Sequence, residues 1–334
     1  MGSKPPGVWP IPAGTRDLLP GEAKRRRLLE NTLAGIFEQW GYSEVATPTL
    51  EYYETVAVEM GEELNNQLYR LFDRDGSLLV LRPDMTTPIA RLVTSRMRHL
   101  ELPQRLFYIA NVFRYESPQA GRLREFGQAG VELVGAGEAA ADAEMIAVAV
   151  HALRCSGLAS FQLSLGNIAV FNAIMEEVGL PPALLRAVHR ALAAKDLVGL
   201  SKLLERHDMN RAQQEIVLEV SDLRGGDDVI ERVKNLVQSP EAFQAVLQLE
   251  EVWGQLQRLQ VRQEVQLDLG LIRDFEYYTG IVFEGYTADL GFTICGGGRY
   301  DHLLAKFGRP APATGFALGL DRLLLALANQ EERR

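Results

Sequence analysis

Cysteine is scarce. The 334-residue chain has two, Cys155 and Cys295, far apart and without metal-ligand spacing, which excludes a disulfide framework and a thiolate cluster. They read as two buried thiols in a reducing cytoplasm, and no metal site or cofactor is expected. No apolar run approaches the ~20 residues that span a bilayer. The N-terminal stretch MGSKPPGVWPIPAG is rich in Pro and Gly, unlike a secretory leader. A soluble cytoplasmic protein with no membrane contact is expected. Positive charge is in deficit: 35 Lys and Arg against 44 Asp and Glu give a net charge of −9, so no global field recruits nucleic acid. Internal repeats and low-complexity tracts are missing as well.

What the chain has is apolar content, 47%, enough for a substantial core in one large unit plus a smaller one. After GTRDLLPGE (Gly14 to Glu22), Leu28, Leu29, Leu33, Ile36, Phe37 and Trp40 recur at helical spacing, with Gly41 placed for a left-handed cap. GYSEVATPTLE (Gly41 to Glu51) is extended, and Pro48 confines it to an edge or bulge. A hairpin turns at Asp75-Gly76, and LRPDMTTPIARLVTSR (Leu81 to Arg96) passes from strand to a helix that Asp84 or Thr86 can cap. Glu138 to Leu153 reads as a helix closed by Gly157. From Ile168 to about Val261 the pattern is helical throughout, about four or five short helices punctuated by Pro181-Pro182, Asp208 and Gly225-Gly226. Strands return at Val265 to Leu269, Tyr277 to Tyr286 and Phe292 to Gly297, and Pro312 to Leu320 runs into a last helix. Strands joined by hairpins more than by helices indicate an α+β fold, an antiparallel sheet flanked by helices.

The stretch Arg105 to Gly135 organises the rest. It reads as two strands, Leu106 to Tyr115 and Phe126 to Val134, joined by a charged connection from Ser117 to Glu125. In the second strand Gln128, Gly130 and Glu132 share a face. Gln128 and Glu132 stand roughly 13 Å apart at the usual rise, the span of a small zwitterion with its contacts, and Gly130 leaves room above the floor between them. An ordinary solvated hairpin face fits the spacing equally well. In FRYE (Phe113 to Glu116), Arg114 shares a face with Glu116, Tyr108 and Val112 and needs an anionic partner. GFALGLDR (Gly315 to Arg322) ends a strand with glycines four apart and puts Arg322 one turn into a helix. ICGGGRYD (Ile294 to Asp301) reads as a glycine-rich turn that lacks the lysine of a P-loop.

In order and context these motifs resemble the catalytic core of histidyl-tRNA synthetase, a class II aminoacyl-tRNA synthetase. GYSEVATPTLE with Pro48 resembles the first class signature, FRYE with SPQAGRLREF the second, and GFALGLDR with Arg322 the third. LIRDFEYYTGIVFE (Leu271 to Glu284) and CGGGRYD (Cys295 to Asp301) resemble the two histidine-specific segments. The resemblance covers about residues 12 to 330. It implies a synthetase-like core of residues 1–167 and 262–334, with 168–261 as a helical insertion. It further implies that Asp84, Thr86 and Gln128 meet the α-amino group of histidine, Glu132 accepts from the imidazole, Arg273 faces the carboxylate, and Tyr277 and Tyr278 line the ring. A zwitterion carrying an imidazole does need acids for its ammonium and ring N–H and a cation for its carboxylate. Adjacent strand residues point to opposite faces, so both tyrosines reach one pocket only at a strand start or bulge.

The chain also departs from the synthetase pattern. Ser117 stands where an ATP-gripping arginine is usual, Gly280 where the family has arginine, Asp274 where it has glycine, and Asp84 where it has the longer Glu. An acid beside Arg273 tends to neutralise that cation. The sequence stops shortly after Arg322, where the synthetase continues into an anticodon-binding domain, so tRNA is not an expected partner. RPDMTTPIAR (Arg82 to Arg91), YYTGIVFEGY (Tyr277 to Tyr286) and this ending resemble the synthetase paralogues that serve as regulatory subunits of ATP phosphoribosyltransferase. That resemblance implies a non-catalytic subunit required for the first step of histidine biosynthesis. It implies a homodimer with Pro48 near its interface, bound to a separate short-form catalytic subunit in a hetero-oligomer, with histidine as an allosteric feedback ligand. Arg114, Arg122, Arg124 and Arg322 become remnants of a nucleotide site, and no catalytic residue is assigned. Two alternatives stand beside it: an enzyme that adenylates histidine with ATP, and a scaffold with a dead pocket.

Overall fold

The computed structural model describes residues 9–59, 61–116, 123–207, 209–273, 277–288 and 290–333. Helix α1 (Pro20–Gln39) is followed by strands β1 (Ser43–Glu44) and β2 (Leu50–Tyr52) and by short helices α2 (Tyr53–Val56) and α3 (Glu62–Asn66). The hairpin β3 (Arg70–Phe72) and β4 (Leu78–Leu81) leads to α4 (Thr86–Ser95), then to β5 (Gln104–Phe113), β6 (Glu125–Val134), α5 (Ala139–Cys155) and β7 (Gln162–Asn167). Helices α6 (Ile168–Glu177), α7 (Pro182–Ala193), α8 (Leu197–Glu205) and α9 (Arg211–Ser221) come next, then β8 (Arg224–Gly225), α10 (Asp227–Leu236) and α11 (Pro240–Arg258). The chain closes with β9 (Val265–Asp268), β10 (Ile281–Tyr286), β11 (Cys295–Arg299), α12 (Leu303–Lys306), β12 (Ala313–Gly319) and α13 (Leu320–Glu332).

The local chemistry accounts for most boundaries. Pro20 opens α1 at a position where its missing N–H costs nothing. Gly41 and Gly157 follow α1 and α5 with φ of 82° and 90°, the left-handed caps that glycine adopts without strain. Asn167 ends β7 and caps α6, its side chain accepting from the Ala169 and Val170 amides.

One nine-stranded sheet runs β1-β5-β6-β12-β11-β10-β7-β9-β8, and β2-β4-β3 forms a separate three-stranded sheet. The large sheet is antiparallel at its centre, but β1 pairs parallel with β5 and β7 parallel with β9. It is therefore mixed where an antiparallel sheet was expected, because β5 and β9 each return to the sheet after a long connection that contains helices. Helices α1, α5, α6 and α11 cover one face around Leu33, Phe37, Phe107 and Phe316. A smaller cluster on the other face joins Met85 and Ile89 to Tyr108, Tyr277, Tyr300 and Leu303. Leu28 is exposed on α1, off the stripe it was grouped with.

Between Ile168 and Val261 the described residues hold six helices, and α11 runs 19 residues, longer than the four or five short helices expected. These helices share one apolar cluster with the sheet. The two cysteines also differ: Cys295 is buried, but Cys155 is exposed at the end of α5. Among the described residues, no helix is long and apolar enough to cross a membrane.

Candidate functional site

The candidate residues gather on the thinly covered face of the sheet, over a row of glycines. Strand pairing sets Glu132 beside Gly315, Gly315 beside Gly298, and Ala317 beside both Gly130 and Gly296. Each glycine makes room for a particular side chain. A Cβ on Gly315 would fall 1.8 Å from Glu132 Oε2, one on Gly296 1.7 Å from Arg273 Nη1, and one on Gly298 2.9 Å from the Tyr278 ring. The glycine-rich stretch, which reads in sequence both as the end of a strand and as a turn, is strand β11, and three of the predicted residues lie flat against a floor without side chains. Gly130 has no open room above it, since the Tyr108 hydroxyl sits 2.6 Å from where its Cβ would be.

Glu132 is 1% exposed and is held from both sides. Thr86 Oγ1, at the first residue of α4, donates to Oε1 at 2.9 Å, and the Tyr300 hydroxyl donates to Oε2. Burial pushes its carboxyl up to about 8, against the downward pull of the Tyr300 and Thr86 hydrogen bonds. Asp84 is buried next to it and accepts from the Thr87 amide at 3.2 Å. It acts as a cap from one residue before the N-cap position, which Met85 occupies. Burial raises the Asp84 carboxyl too, opposed chiefly by the charge of Arg114. Arg114 lies beyond the end of β5, where FRYE leaves the strand; its Nε donates to the Pro83 carbonyl at 2.9 Å, which ties the Asp84 loop to the hairpin.

Arg273 precedes β10 and faces Glu284, with Nη1 3.1 Å from Oε1. Among the described residues the acid that meets this cation is Glu284 on β10; Asp274 lies outside the described residues. Tyr277 and Tyr278 come before β10 begins at Ile281, so strand alternation does not separate them. Their rings lie 4.9 Å apart at 57°, and Tyr277 also meets Tyr300 at 5.7 Å. Gln128 is half-buried on the Glu132 face, in the row of Ala110 and Gly319.

The nucleotide-site candidates are more scattered. Arg124 Nε donates to the Glu116 carbonyl at 2.9 Å, with its guanidinium 4.2 Å from the Tyr115 ring centroid. Arg322 donates to the Thr293 carbonyl at 2.9 Å and lies over Phe292. Arg122 and Ser117 lie outside the described residues. No group of His, Cys, Asp or Glu among the described residues is arranged to hold a metal.

Sequence reasoning left out Tyr300, Tyr108 and Glu284. Read as a strand, CGGGRYD places Gly296, Gly298 and Tyr300 on one face at period two, and that signal was available. It also puts Arg299 on the opposite face, where its Nε lies 3.0 Å from Asp142 Oδ2 on α5. This buried pair clamps β11 to the helix layer and so holds Tyr300 against Glu132. Burial pushes the Asp142 carboxyl up to about 6, with Arg299 pulling it down.

The histidyl-tRNA synthetase family profile matches residues 14–323. A protein of Moorella thermoacetica named ATP phosphoribosyltransferase regulatory subunit is 48% identical over 316 residues, 95% of this chain and 81% of its own length. The solved ATP phosphoribosyltransferase regulatory subunit/histidyl-tRNA synthetase of Bacillus halodurans superposes with a TM-score of 0.91 at 39% identity, over 97% of this chain and 84% of the other. A histidine–tRNA ligase subunit of Alicyclobacillus acidocaldarius gives 0.81 at 27% identity, over 98% of this chain and 100% of the other.

Proposed function

The chain belongs to the histidyl-tRNA synthetase family, in its branch of ATP phosphoribosyltransferase regulatory subunits, and from that we propose a non-catalytic, histidine-binding partner of a separate phosphoribosyltransferase chain. In this reading the complex performs the first step of histidine biosynthesis, and histidine bound here biases its activity. The observation that carries the ligand is Glu132, a buried carboxylate oriented by Thr86 and Tyr300. Asp84 lies on one side of it, and Arg273 and the paired tyrosines across the glycine floor. Asp84, Thr86 and Gln128 take the ammonium, Glu132 the imidazole, Arg273 the carboxylate, and Tyr277 with Tyr278 the ring. Glu132 and a bound imidazole both titrate near neutrality, so the pair can hold one shared proton between them.

Arg114, Arg124 and Arg322 donate to main-chain carbonyls and lie over aromatic rings, which supports the non-catalytic reading over histidine adenylation. A homodimer is supported by the outer face of the small sheet. There Leu50, Tyr52 and Leu71 are exposed in register with half-buried Leu79 and Leu81, next to Pro48.

The deciding experiment mixes this chain with a short-form catalytic subunit and assays activity with and without histidine. Stimulation and histidine sensitivity are expected, and Glu132→Ala is expected to lose the sensitivity and at least ~10-fold in histidine affinity by calorimetry. An isolated chain that exchanged pyrophosphate into ATP with histidine, or one that left the partner unaffected, would overturn the proposal.

A further inference from the structure

Glu284 stands on β10 beside Gly296, and its two oxygens serve different partners. Oε1 lies 3.1 Å from Arg273 Nη1. Oε2 accepts from the hydroxyl of Tyr286, two residues further on the same strand face. The Tyr286 oxygen accepts from Lys195 Nζ at 2.9 Å, and that ammonium sits 4.4 Å from the ring centroid. Lys195 occupies the turn between α7 and α8 with φ of 56°, a left-handed cap position where glycine is the unstrained choice. From that position the Lys195 side chain reaches Tyr286, with Asp268 also within its electrostatic reach. A second tie crosses the same seam, where Arg224 Nε on β8 meets Asp268 Oδ2 on β9 at 3.1 Å.

Glu284 therefore pairs with a cation among the candidate residues and is linked through the Tyr286 hydroxyl to a cation in the helical segment. The Arg273 Nε is buried and has no hydrogen-bond partner among the described residues, so the guanidinium has a donor that Glu284 does not use. A carboxylate arriving at Arg273 competes with Glu284 for that cation. As its hold on Arg273 weakens, Glu284 turns its charge toward Tyr286 and Lys195.

We propose that Glu284, Tyr286 and Lys195 form a relay through which a ligand carboxylate at Arg273 tightens the α7–α8 turn. This rests on the reading of Arg273 as the carboxylate-facing residue of the histidine pocket. Coupling is reciprocal: without Lys195, Glu284 stays with Arg273, and the ligand binds less well. The three are positioning residues that act through Arg273.

The test compares the full chain with its Lys195→Met and Tyr286→Phe variants, by calorimetry with histidine and by hydrogen exchange across residues 192–200. Histidine is expected to slow exchange in that turn in the wild type. Each variant is expected to abolish this response and to weaken binding ~3- to 10-fold. Methionine faces the same backbone constraint as lysine, so the turn itself is not relieved. A merely structural role would change exchange equally with and without histidine and leave affinity unaltered, which would sink the relay. If the wild type takes up no histidine, the binding reading fails, and a ligand-free arm still decides the relay. Arg273→Met should alter α7–α8 exchange in the wild type but not in a Tyr286→Phe background; equal responses in both overturn it.

Discussion

Glu132 combines deep burial with two donors and, among the described residues, no paired cation, and this sets an unusual pH dependence. Its carboxyl lies at about 8 in the folded chain against 4.5 for the ordinary group, so the folded state keeps a proton that the unfolded state releases. Stability from this group is present below pH 4.5 and is lost as pH rises toward 8, the reverse of a salt-bridged carboxylate. Asp84, also raised by burial, acts in the same direction. Glu132→Gln, which mimics the protonated form, should lose less stability with pH. Between pH 5 and 8 the two denaturation series should diverge by on the order of 1 kcal/mol per pH unit. Parallel series would mean that Glu132 is ionised in the folded protein. As candidates, Glu132, Asp84 and Arg273 were legible only through the motifs that resemble the synthetase. Their partners were not: Thr86 and Tyr300 meet Glu132 across 46 and 168 residues of sequence, and no local pattern joins such positions.

At the scale of single elements, β11 shows how a strand ended too early hides chemistry, since the strand expected over Phe292 to Gly297 reaches Arg299. Three consecutive glycines favour a turn by propensity, yet here they form a central strand, because each lets a neighbour come close. Gly297 packs against Phe316 and the Gly315 carbonyl on the helix-covered side, while Gly296 and Gly298 lie under Arg273 and Tyr278. Adjacent substitutions should therefore separate folding from binding. Gly296→Ala meets only the end of the Arg273 side chain, so it should keep thermal stability near wild type but displace the guanidinium and weaken histidine binding at least ~10-fold. In Gly297→Ala the new methyl would lie 2.2 Å from the Gly315 carbonyl oxygen, and the backbone there has little freedom to move. It should cost about 1–3 kcal/mol of stability by overpacking. Calorimetry paired with thermal melts distinguishes the two, and equal loss of stability in both would contradict the assignment of faces. The tyrosine pair is the converse case: alternation made Tyr277 and Tyr278 an unlikely couple on one strand, and the structure resolves this by starting β10 after them.

For the whole molecule, the sheet's two faces divide the labour. One carries the large apolar core shared with the helical segment, and the other carries the smaller cluster that adjoins the candidate residues. The small sheet adds an exposed apolar face around Leu50, Tyr52 and Leu71. If that face joins two copies, Leu71→Glu should convert a dimer to a monomer in light scattering without lowering the melting temperature, whereas an unchanged mass would place the interface elsewhere. The sequence by itself determined the family, the α+β class, the hairpin from Arg105 to Gly135 and the helical stretch after Ile168. These follow from periodicity, turn chemistry and motif order, all of which are local or one-dimensional. Only the tertiary structure decided that the sheet is mixed, that the strand at Cys295 runs on through all three glycines to Arg299, that Tyr300 and Thr86 orient Glu132, and that Glu284 lies beside Arg273. Such facts depend on strand order and register, which bring residues far apart in sequence to within hydrogen-bond distance.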